Sequence, residues 1–314
     1  MIEYDHQITC IDTEYQRPGL AACYLIQSGE EAAFIDTGTS HSIPHLLSVL
    51  ESKGIDRSQV RYVIPTHVHL DHAGGAGKLM QALPEASLVI HPYGARHMID
   101  PSKLIAGAQA VYGEAAFEAS FGTLIPVAEN RVIEAPDGLR ITLGDRELLC
   151  LDTPGHARHH ICIYDERSRG IFSGDTFGLS YREFDTQLGA YLLPTTTPIQ
   201  LDPDAWYQTL DRLLELTPER FFLTHYGEVT EVERLANQLR SSLGVFINMA
   251  LNSQAAPGTE RVAELRERIT QWSLSEIKAH GCQLSDHEIK DLLAMDCDLD
   301  AQGLDVWLTR RESA

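Results

Sequence analysis

The sequence lacks several features that would place a protein in a specialised class. No apolar run in its 314 residues approaches the roughly 18 residues needed to cross a membrane. The opening residues, MIEYDHQITC, lack the basic and apolar regions of a secretory signal, which favours a cytoplasmic protein. Basic residues are few: 25 Lys and Arg stand against 45 Asp and Glu, a formal net charge of −20. Because such a surface repels polyanions, we predict no nucleic-acid partner, and because no apolar run is long enough to cross a membrane, we predict no membrane partner.

Motifs of several common enzyme classes are also missing. The sequence has no G-x-S-x-G nucleophile elbow, no P-loop and no dinucleotide-binding fingerprint. Its six cysteines are scattered without a C-x-x-C pair, so they are predicted to be reduced core residues. The chemistry of the protein therefore has to come from other residue types.

The chain changes character near Tyr226. Before it, short apolar β-type runs alternate with turn signals, interrupted by a helical insert at 93–121 and an irregular, aromatic-rich insert at 176–200. After it, the spacing of apolar residues predicts amphipathic helices at 228–252, 259–280, 285–295 and 301–311. We therefore predict a catalytic domain over 1–228 and a helical extension over 229–314.

The stretch IPTHVHLDHAGG, which follows an apolar strand-like run, places three histidines and an aspartate within the six positions 67–72. On an extended segment alternate side chains share one face, so His67 and His69 are expected to point the same way. A helix that begins near Asp71 would turn Asp71 and His72 toward a second point nearby. Clustered imidazoles suffer desolvation and like-charge repulsion, and a bound metal ion removes both costs. The stretch therefore predicts metal binding.

Three later segments also place a residue of metal-ligand type at the carboxyl end of a strand. These residues are His156 in TPGHARHH, Asp175 in FSGD and His225 in FLTHYG. Side chains that converge from several strand ends are a common way to build a site. We expect the three residues to complete the metal site that the histidine-rich loop begins.

These motifs, in this order, resemble the metallo-β-lactamase-fold superfamily, and FIDTG at 34–38 is a further match. The resemblance covers roughly residues 20–230 and implies an α/β fold, the αββα sandwich of two mixed sheets, here with a C-terminal helical extension. It also implies two metal ions, with Asp175 and a hydroxide bridging both and Asp36 holding the ligand loop without binding metal. The implied ligands are His67, His69 and His156 for the first ion, and Asp71, His72 and His225 for the second.

The implied reaction is hydrolysis, in which a metal-bridged hydroxide attacks an ester, thioester or lactone carbonyl of a small molecule. Asp71 and Asp175 are then catalytic residues, Asp71 because it is expected to carry a proton to the leaving group. Zinc, iron and manganese all suit such ligands as the two divalent ions per chain. The branch with glyoxalase II, lactonases and PqsE-like thioesterases fits best, because its helices follow the last ligand histidine. The basic glutathione-binding motif of glyoxalase II is not found, so the substrate stays open.

Three alternatives remain. A phosphodiesterase that acts on a small phosphodiester uses the same ligand set. A persulfide dioxygenase-type oxidoreductase uses one iron bound by two histidines and an aspartate, which are also present here. A regulatory binding protein with a vestigial site is the third. Two ions per chain would indicate the hydrolase, whereas one iron with oxygen consumption would indicate the dioxygenase.

Residues on the substrate side are expected from the two inserts, which are predicted to flank the metal ions. Tyr181 is predicted to be a catalytic residue that donates a hydrogen bond to a substrate carbonyl oxygen. Phe184 and Tyr112 are predicted to line the pocket, and His160 to contact substrate or support a ligand. The expected partner is a small-molecule substrate, and a homodimer is compatible with the sequence.

Overall fold

The computed structural model of the chain describes residues 1–313, apart from the side chains of Val111 and Tyr112. It divides into two compact units. Unit 1 comprises residues 1–153, 159–174 and 218–228, and unit 2 comprises residues 154–158, 175–217 and those from 229 onward. Two segments that the sequence assigned to the catalytic domain, 154–158 and 175–217, are thus grouped with the helical extension.

The first sheet is mixed. Within the described residues its strands follow the order of the chain: β1 Ile2–Tyr4, β2 Ile8–Asp12, β3 Ala22–Ser28, β4 Glu31–Ile35, β5 Val60–Ile64, β6 Ser87–Ile90 and β7 Val132–Glu134. Neighbours from β1 to β4 are antiparallel, and neighbours from β4 to β7 are parallel. The carboxyl ends of β4, β5 and β6 therefore meet at one edge.

The second sheet is also mixed. In the same part of the chain its strands are β8 Arg140–Leu143, β9 Arg146–Asp152, β10 Ile161–Asp165, β11 Gly170–Gly174, β12 Arg220–Leu223 and β13 Gly227–Val229, which lie in this order across the sheet. Strands β8 to β11 are antiparallel, whereas β11 and β12 are parallel. Asp175 and His225 follow the parallel pair, so their chain segments leave the same edge.

Ten α-helices connect or follow these strands within residues 1–313. They are α1 Ile43–Lys53, α2 Leu70–Ala73, α3 Ala76–Ala82, α4 Pro92–Ile99, α5 Ser102–Tyr112, α6 Glu114–Phe121, α7 Pro203–Glu215, α8 Val232–Leu251, α9 Thr259–Ala279 and α10 Asp286–Glu312. The predicted helical insert at 93–121 corresponds to α4, α5 and α6. In the described part of the chain, no helix combines the length and the apolar composition that crossing a membrane requires.

The two sheets face each other and enclose an apolar core in unit 1. Tyr24, Ile35 and Ile64 come from the first sheet, and Phe172 and Phe222 come from the second. The rings of Phe172 and Phe222 stack with their centroids 4.6 Å apart, and Tyr24 meets Phe172 edge-on at 5.2 Å. The sheets therefore pack as a sandwich, since such aromatic pairs require direct face-to-face contact.

The other face of the first sheet packs against helices of unit 1. Side chains alternate along β3, so Leu25 belongs to this outer core while Tyr24 belongs to the inner one. The helices contribute Leu46 from α1, Leu79 from α3 and Met98 from α4. Burial on both faces explains why the central strands are continuous apolar runs rather than alternating ones.

One prediction for the extension is wrong in its detail. The sequence predicted separate helices at 285–295 and 301–311, but α10 runs without a break from Asp286 to Glu312. The acidic stretch around residues 296–300 obscured the amphipathic pattern. The structure buries Asp300 against Thr196 and Asp305 against Arg261, so the buried face of α10 carries carboxyl side chains.

A buried ion pair in unit 1 provides a test of this packing. Arg146 on β9 and Asp165 on β10 have fully buried side chains with 3.3 Å between Arg146 Nε and Asp165 Oδ1. Removing one partner leaves the other charge buried without its ion pair. Arg146→Ala should therefore lower the free energy of unfolding by about 3–5 kcal/mol in urea titrations. The exposed pair between Arg140 and Glu147 is the control, and Arg140→Ala should cost less than about 1 kcal/mol. Equal losses from both variants would contradict the buried pairing.

Candidate metal centre

The histidine-rich loop lies between β5 and α2, at the carboxyl edge of the parallel strands. The backbone of His69 is extended (φ −61°, ψ 147°), and α2 begins at the next residue. His67 and His69 thus lie on the extended part, with 2.8 Å between His67 Nε2 and His69 Nδ1. Asp71 and His72 lie on the short helix. This is the local geometry that the spacing of the four residues predicted.

Asp71, His72 and His225 come together within unit 1. Asp71 Oδ2 lies 3.5 Å from His72 Nε2 and 3.3 Å from His225 Nε2. One ligand atom from each residue lies within 4.8 Å of the other two. Two ligand atoms that are each about 2.1 Å from a tetrahedral ion lie about 3.4 Å apart. The spacing of this group therefore fits a metal ion.

Hydrogen bonds on the far side of the two imidazole rings determine which nitrogen a metal can use. His225 Nδ1 lies 2.8 Å from the main-chain oxygen of Leu20, and His72 Nδ1 lies 2.9 Å from Asp36 Oδ2. A carbonyl and a carboxylate only accept, so each Nδ1 carries a proton and donates it. In the neutral ring the lone pair is then on Nε2, the atom that faces Asp71. Metal-binding histidines in proteins are held in this way.

Asp36 anchors the histidine-rich loop at residues 64–75, called the ligand loop here, through hydrogen bonds. Its buried carboxylate accepts from the Thr66 main-chain nitrogen (2.7 Å), the Thr66 hydroxyl (3.0 Å) and the Thr224 hydroxyl (2.6 Å), in addition to His72. These donors follow β5 and β12, which belong to different sheets. Asp36 itself has φ +56°, a conformation that aspartate tolerates better than most residues. One carboxylate thus connects three strand ends beside the candidate metal ligands.

His160 packs against His67. Its ring stacks on that of His67 with the centroids 4.9 Å apart and 27° between the planes, and its Nδ1 lies 2.8 Å from the Thr153 hydroxyl. A Cβ at Gly174 would lie 2.5 Å from His160 Nε2 and 2.6 Å from the Thr66 hydroxyl oxygen. Glycine at the end of β11 is therefore required by close packing. The placement suits a supporting role for His160, and its contact with substrate stays a prediction.

Unit 2 contains His156 and Asp175. His156 Nε2 lies 3.4 Å from Asp175 Oδ2, and His156 Nδ1 lies 2.8 Å from the main-chain oxygen of Thr195. The ring proton is again on Nδ1, so the lone pair on Nε2 faces the carboxylate. The preceding Gly155 has no room for a side chain, because a Cβ there would lie 2.5 Å from the main chain of Trp206. The same arrangement of donor and lone pair thus recurs in the second unit.

The helical insert of unit 1 lies next to the ligand loop. Leu70, which separates His69 from Asp71 in sequence, packs against the cluster formed by Phe117, Phe121 and Leu124. The aromatic insert begins directly after Asp175, in unit 2.

Two of the three aromatic residues predicted on the substrate side have side chains that the structure describes. Tyr181 is buried, with 1% of its surface exposed, and its hydroxyl donates to Asp296 on α10 at 3.0 Å. Phe184 is buried beside it, with the ring centroids 6.1 Å apart. This placement favours a role for Tyr181 in packing α10, and its catalytic role stays a prediction. The side chain of Tyr112 lies outside the described part of the chain.

Three threonines were not anticipated. Thr66 and Thr224 each precede a candidate ligand histidine at a strand end and donate to Asp36. The repeated Thr-His dipeptide was the available sequence signal. Thr195 bonds His156 from 39 residues away, and its position in the PTTTP stretch gives no indication of that contact.

Comparison with known proteins gives the family. The model of the metallo-β-lactamase superfamily matches residues 17–225, about two thirds of the chain. The chain belongs to the metallo-β-lactamase superfamily. Its members are usually metal-dependent hydrolases, and the histidine and aspartate groups fit metal binding. The predicted family is confirmed.

Individual relatives agree with this assignment. A metallo-β-lactamase fold-containing protein of Sulfurisphaera tokodaii, ST1585, is 25% identical over 268 residues, which are 84% of this chain and 94% of that protein. The human acyl-coenzyme A thioesterase MBLAC2 is 26% identical over 189 residues, 51% of this chain and 60% of that protein. The structure of TTHA1429 from Thermus thermophilus aligns with a TM-score of 0.67 at 20% identity, covering 98% of this chain and 94% of that one. The predicted sandwich fold is confirmed.

The bond between Asp36 and His72 can be tested by Asp36→Asn. An asparagine that keeps its oxygen toward Thr66 presents its NH2 group to His72 Nδ1, which moves the ring proton to Nε2 and blocks the lone pair. We expect the affinity for one zinc ion to fall about 10–100-fold in a chelator competition, with the far-UV CD spectrum retained. Thr224→Val, which removes a donor to the same carboxylate without changing the tautomer, is the control. An unchanged zinc affinity in Asp36→Asn would refute the role assigned to this bond.

Proposed function

We propose that the protein is a binuclear metal-dependent hydrolase that cleaves an ester, thioester or lactone bond of a small molecule. The proposed ligands are His67, His69 and His156 for one ion, Asp71, His72 and His225 for the other, and Asp175 for both.

The observation that carries the proposal is the orientation of the imidazole rings. In His72, His156 and His225 the Nδ1 proton is donated to a carboxylate or a main-chain carbonyl, and Nε2 faces an aspartate oxygen at 3.3–3.5 Å. Histidines that only fill a core have no reason to share this arrangement. Metal ligands require it, because the lone pair and the ring orientation must both be fixed.

The proposed ligands of unit 2 are close in sequence to residues of unit 1. Asp175 is joined by one peptide bond to Gly174, which packs against Thr66 in the ligand loop, and consecutive Cα atoms are about 3.8 Å apart. His156 lies in a five-residue segment, 154–158, whose flanking residues both belong to unit 1. These short connections are compatible with the proposed ligand set.

The chain supplies the groups that hydrolysis needs. When bound, a pair of divalent ions supplies a water nucleophile at neutral pH and positive charge for the developing oxyanion. Asp71 keeps 23% of its side chain exposed, whereas the side chains of His72 and His225 are at most 8% exposed. Its carboxylate is thus the member of this group that can meet the substrate and hold a proton for the leaving group.

The net charge and one relative support the proposed substrate class. A net charge of −20 disfavours nucleic acids, so a small molecule is the better candidate. The similarity to a human acyl-coenzyme A thioesterase supports a thioester, although only about half of this chain takes part in that alignment. We therefore place acyl thioesters first among the carbonyl substrates.

The proposal is tested by loading the metal-free protein with zinc, manganese or iron(II) under anaerobic conditions and counting the bound ions. The loaded protein is then offered acyl thioesters of coenzyme A and of neutral N-acetylcysteamine, lactones, aryl esters and small phosphodiesters. We expect about two ions per chain and the highest kcat/KM on a carbonyl substrate. The neutral thioester shows whether the coenzyme A portion contributes to binding.

Asp175→Ala should lower the metal content and remove nearly all hydrolysis, with the far-UV CD spectrum largely unchanged. Asp152→Ala, at another strand end but outside the proposed ligand set, should keep both. One iron per chain with oxygen consumption would replace the proposal with a dioxygenase, and a preference for phosphodiesters would replace the substrate class. Near-wild-type turnover in Asp175→Ala would overturn the ligand assignment.

A further inference from the structure

The segment around Thr195 and Thr196, within unit 2, has contacts on two sides. On one side the main-chain oxygen of Thr195 accepts from His156 Nδ1 at 2.8 Å, and the Thr195 hydroxyl donates to the main-chain oxygen of Asp175 at 3.2 Å. On the other side Asp300 of α10 accepts from the main-chain nitrogen of Thr196 at 2.5 Å and from its hydroxyl at 3.0 Å. The segment thus connects the tail helix with two proposed metal ligands.

The two main-chain contacts belong to the same peptide group. The carbonyl that His156 uses and the N–H that Asp300 uses are the two ends of the Thr195–Thr196 peptide. A peptide is planar and rigid, so holding its N–H also fixes the direction of its C=O. Hydrogen bonds that share one peptide also polarise each other, which strengthens the bond to His156. Asp300 therefore acts on the imidazole without touching it.

A second residue of α10 holds the same segment by close contact. A Cβ at Gly303 would lie only 1.6 Å from the main-chain oxygen of Thr196, so the segment around Thr196 packs directly on the helix backbone. Asp300 and Gly303 are three residues apart and share one face of α10. Both Asp300 and Thr196 are buried, with 4% and 0% of their surfaces exposed. The contact is thus shielded from competing water.

We propose that Asp300 and Gly303 are positioning residues for the metal ligand His156, and that they act through the Thr195–Thr196 peptide. The helical extension is then part of the metal centre rather than an appended module. This inference rests on the proposed function in one respect, that His156 binds metal.

The test measures zinc affinity by competition with a chromophoric chelator, starting from the metal-free full-length protein and working well below its unfolding temperature. Asp300→Ala frees the Thr196 N–H and lets the peptide rotate, so we expect about tenfold weaker binding of one zinc ion. Burial raises the pKa of the Asp300 carboxyl well above its usual range, which favours the neutral form. Asp300→Asn, neutral and of the same shape, should therefore restore most of the affinity.

Gly303→Ala approaches the same contact from the other side. Alanine favours a helix more than glycine does, so this change should support α10 while it displaces Thr196. We expect weaker zinc binding without loss of helical CD signal. If Asp300→Ala does not fold, Gly303→Ala and Asp300→Glu, which displaces the carboxylate by one methylene, carry the test.

Asp305→Ala is the matched control. Asp305 lies on α10, is buried, and accepts from the main-chain nitrogen of Gly258 and from Arg261, away from Thr196. Its loss should lower the melting temperature and leave zinc affinity unchanged. Equal loss of affinity in Asp300→Ala and Asp305→Ala would show a general effect of helix stability and overturn the inference.

His156→Ala separates this inference from the proposed function. If His156→Ala binds zinc as tightly as the wild type, the proposed ligand set is wrong. If His156→Ala loses a zinc ion while Asp300→Ala and Gly303→Ala bind it with wild-type affinity, the ligand set stands and the positioning role is refuted.

Discussion

The candidate metal centre depends on one kind of hydrogen bond, which each histidine ring makes through the nitrogen that does not face the proposed metal. A histidine can serve a metal only if the proton is on the other nitrogen and the ring cannot turn away. Here Asp36, the Leu20 carbonyl and the Thr195 carbonyl meet that condition for His72, His225 and His156. Much of the surrounding architecture places these three acceptors.

The sheet topology explains how distant parts of the sequence reach those acceptors. Parallel pairing brings the carboxyl ends of β4 and β5 to one edge in the first sheet and those of β11 and β12 to one edge in the second. Residues at these ends are released from the strand ladder, so their side chains are available for other contacts. Asp36 then connects the two sheets through Thr66 and Thr224. The sandwich core supplies rigidity, and the strand ends supply chemistry.

The sequence was most informative where the determining interactions are local. The spacing of His67, His69, Asp71 and His72 predicted their local geometry, because an extended segment followed by a helix needs no distant partner. The sequence was least informative where a polar side chain is buried at a position that the helical pattern would give to an apolar one. Asp300 breaks the apolar pattern of α10, so one long helix was predicted as two, and its partner Thr196 lies 104 residues earlier. No spacing rule connects residues that meet only after the chain has folded.

A crystal structure of the zinc-loaded protein, with anomalous scattering measured at the zinc edge, tests the central claim most directly. The account predicts two peaks per chain, about 3.5–4 Å apart, with Asp175 in contact with both. It also predicts that His72, His156 and His225 bind through Nε2 at about 2.1 Å while each Nδ1 keeps its present acceptor. A single peak, peaks on other residues, or coordination through Nδ1 would contradict it.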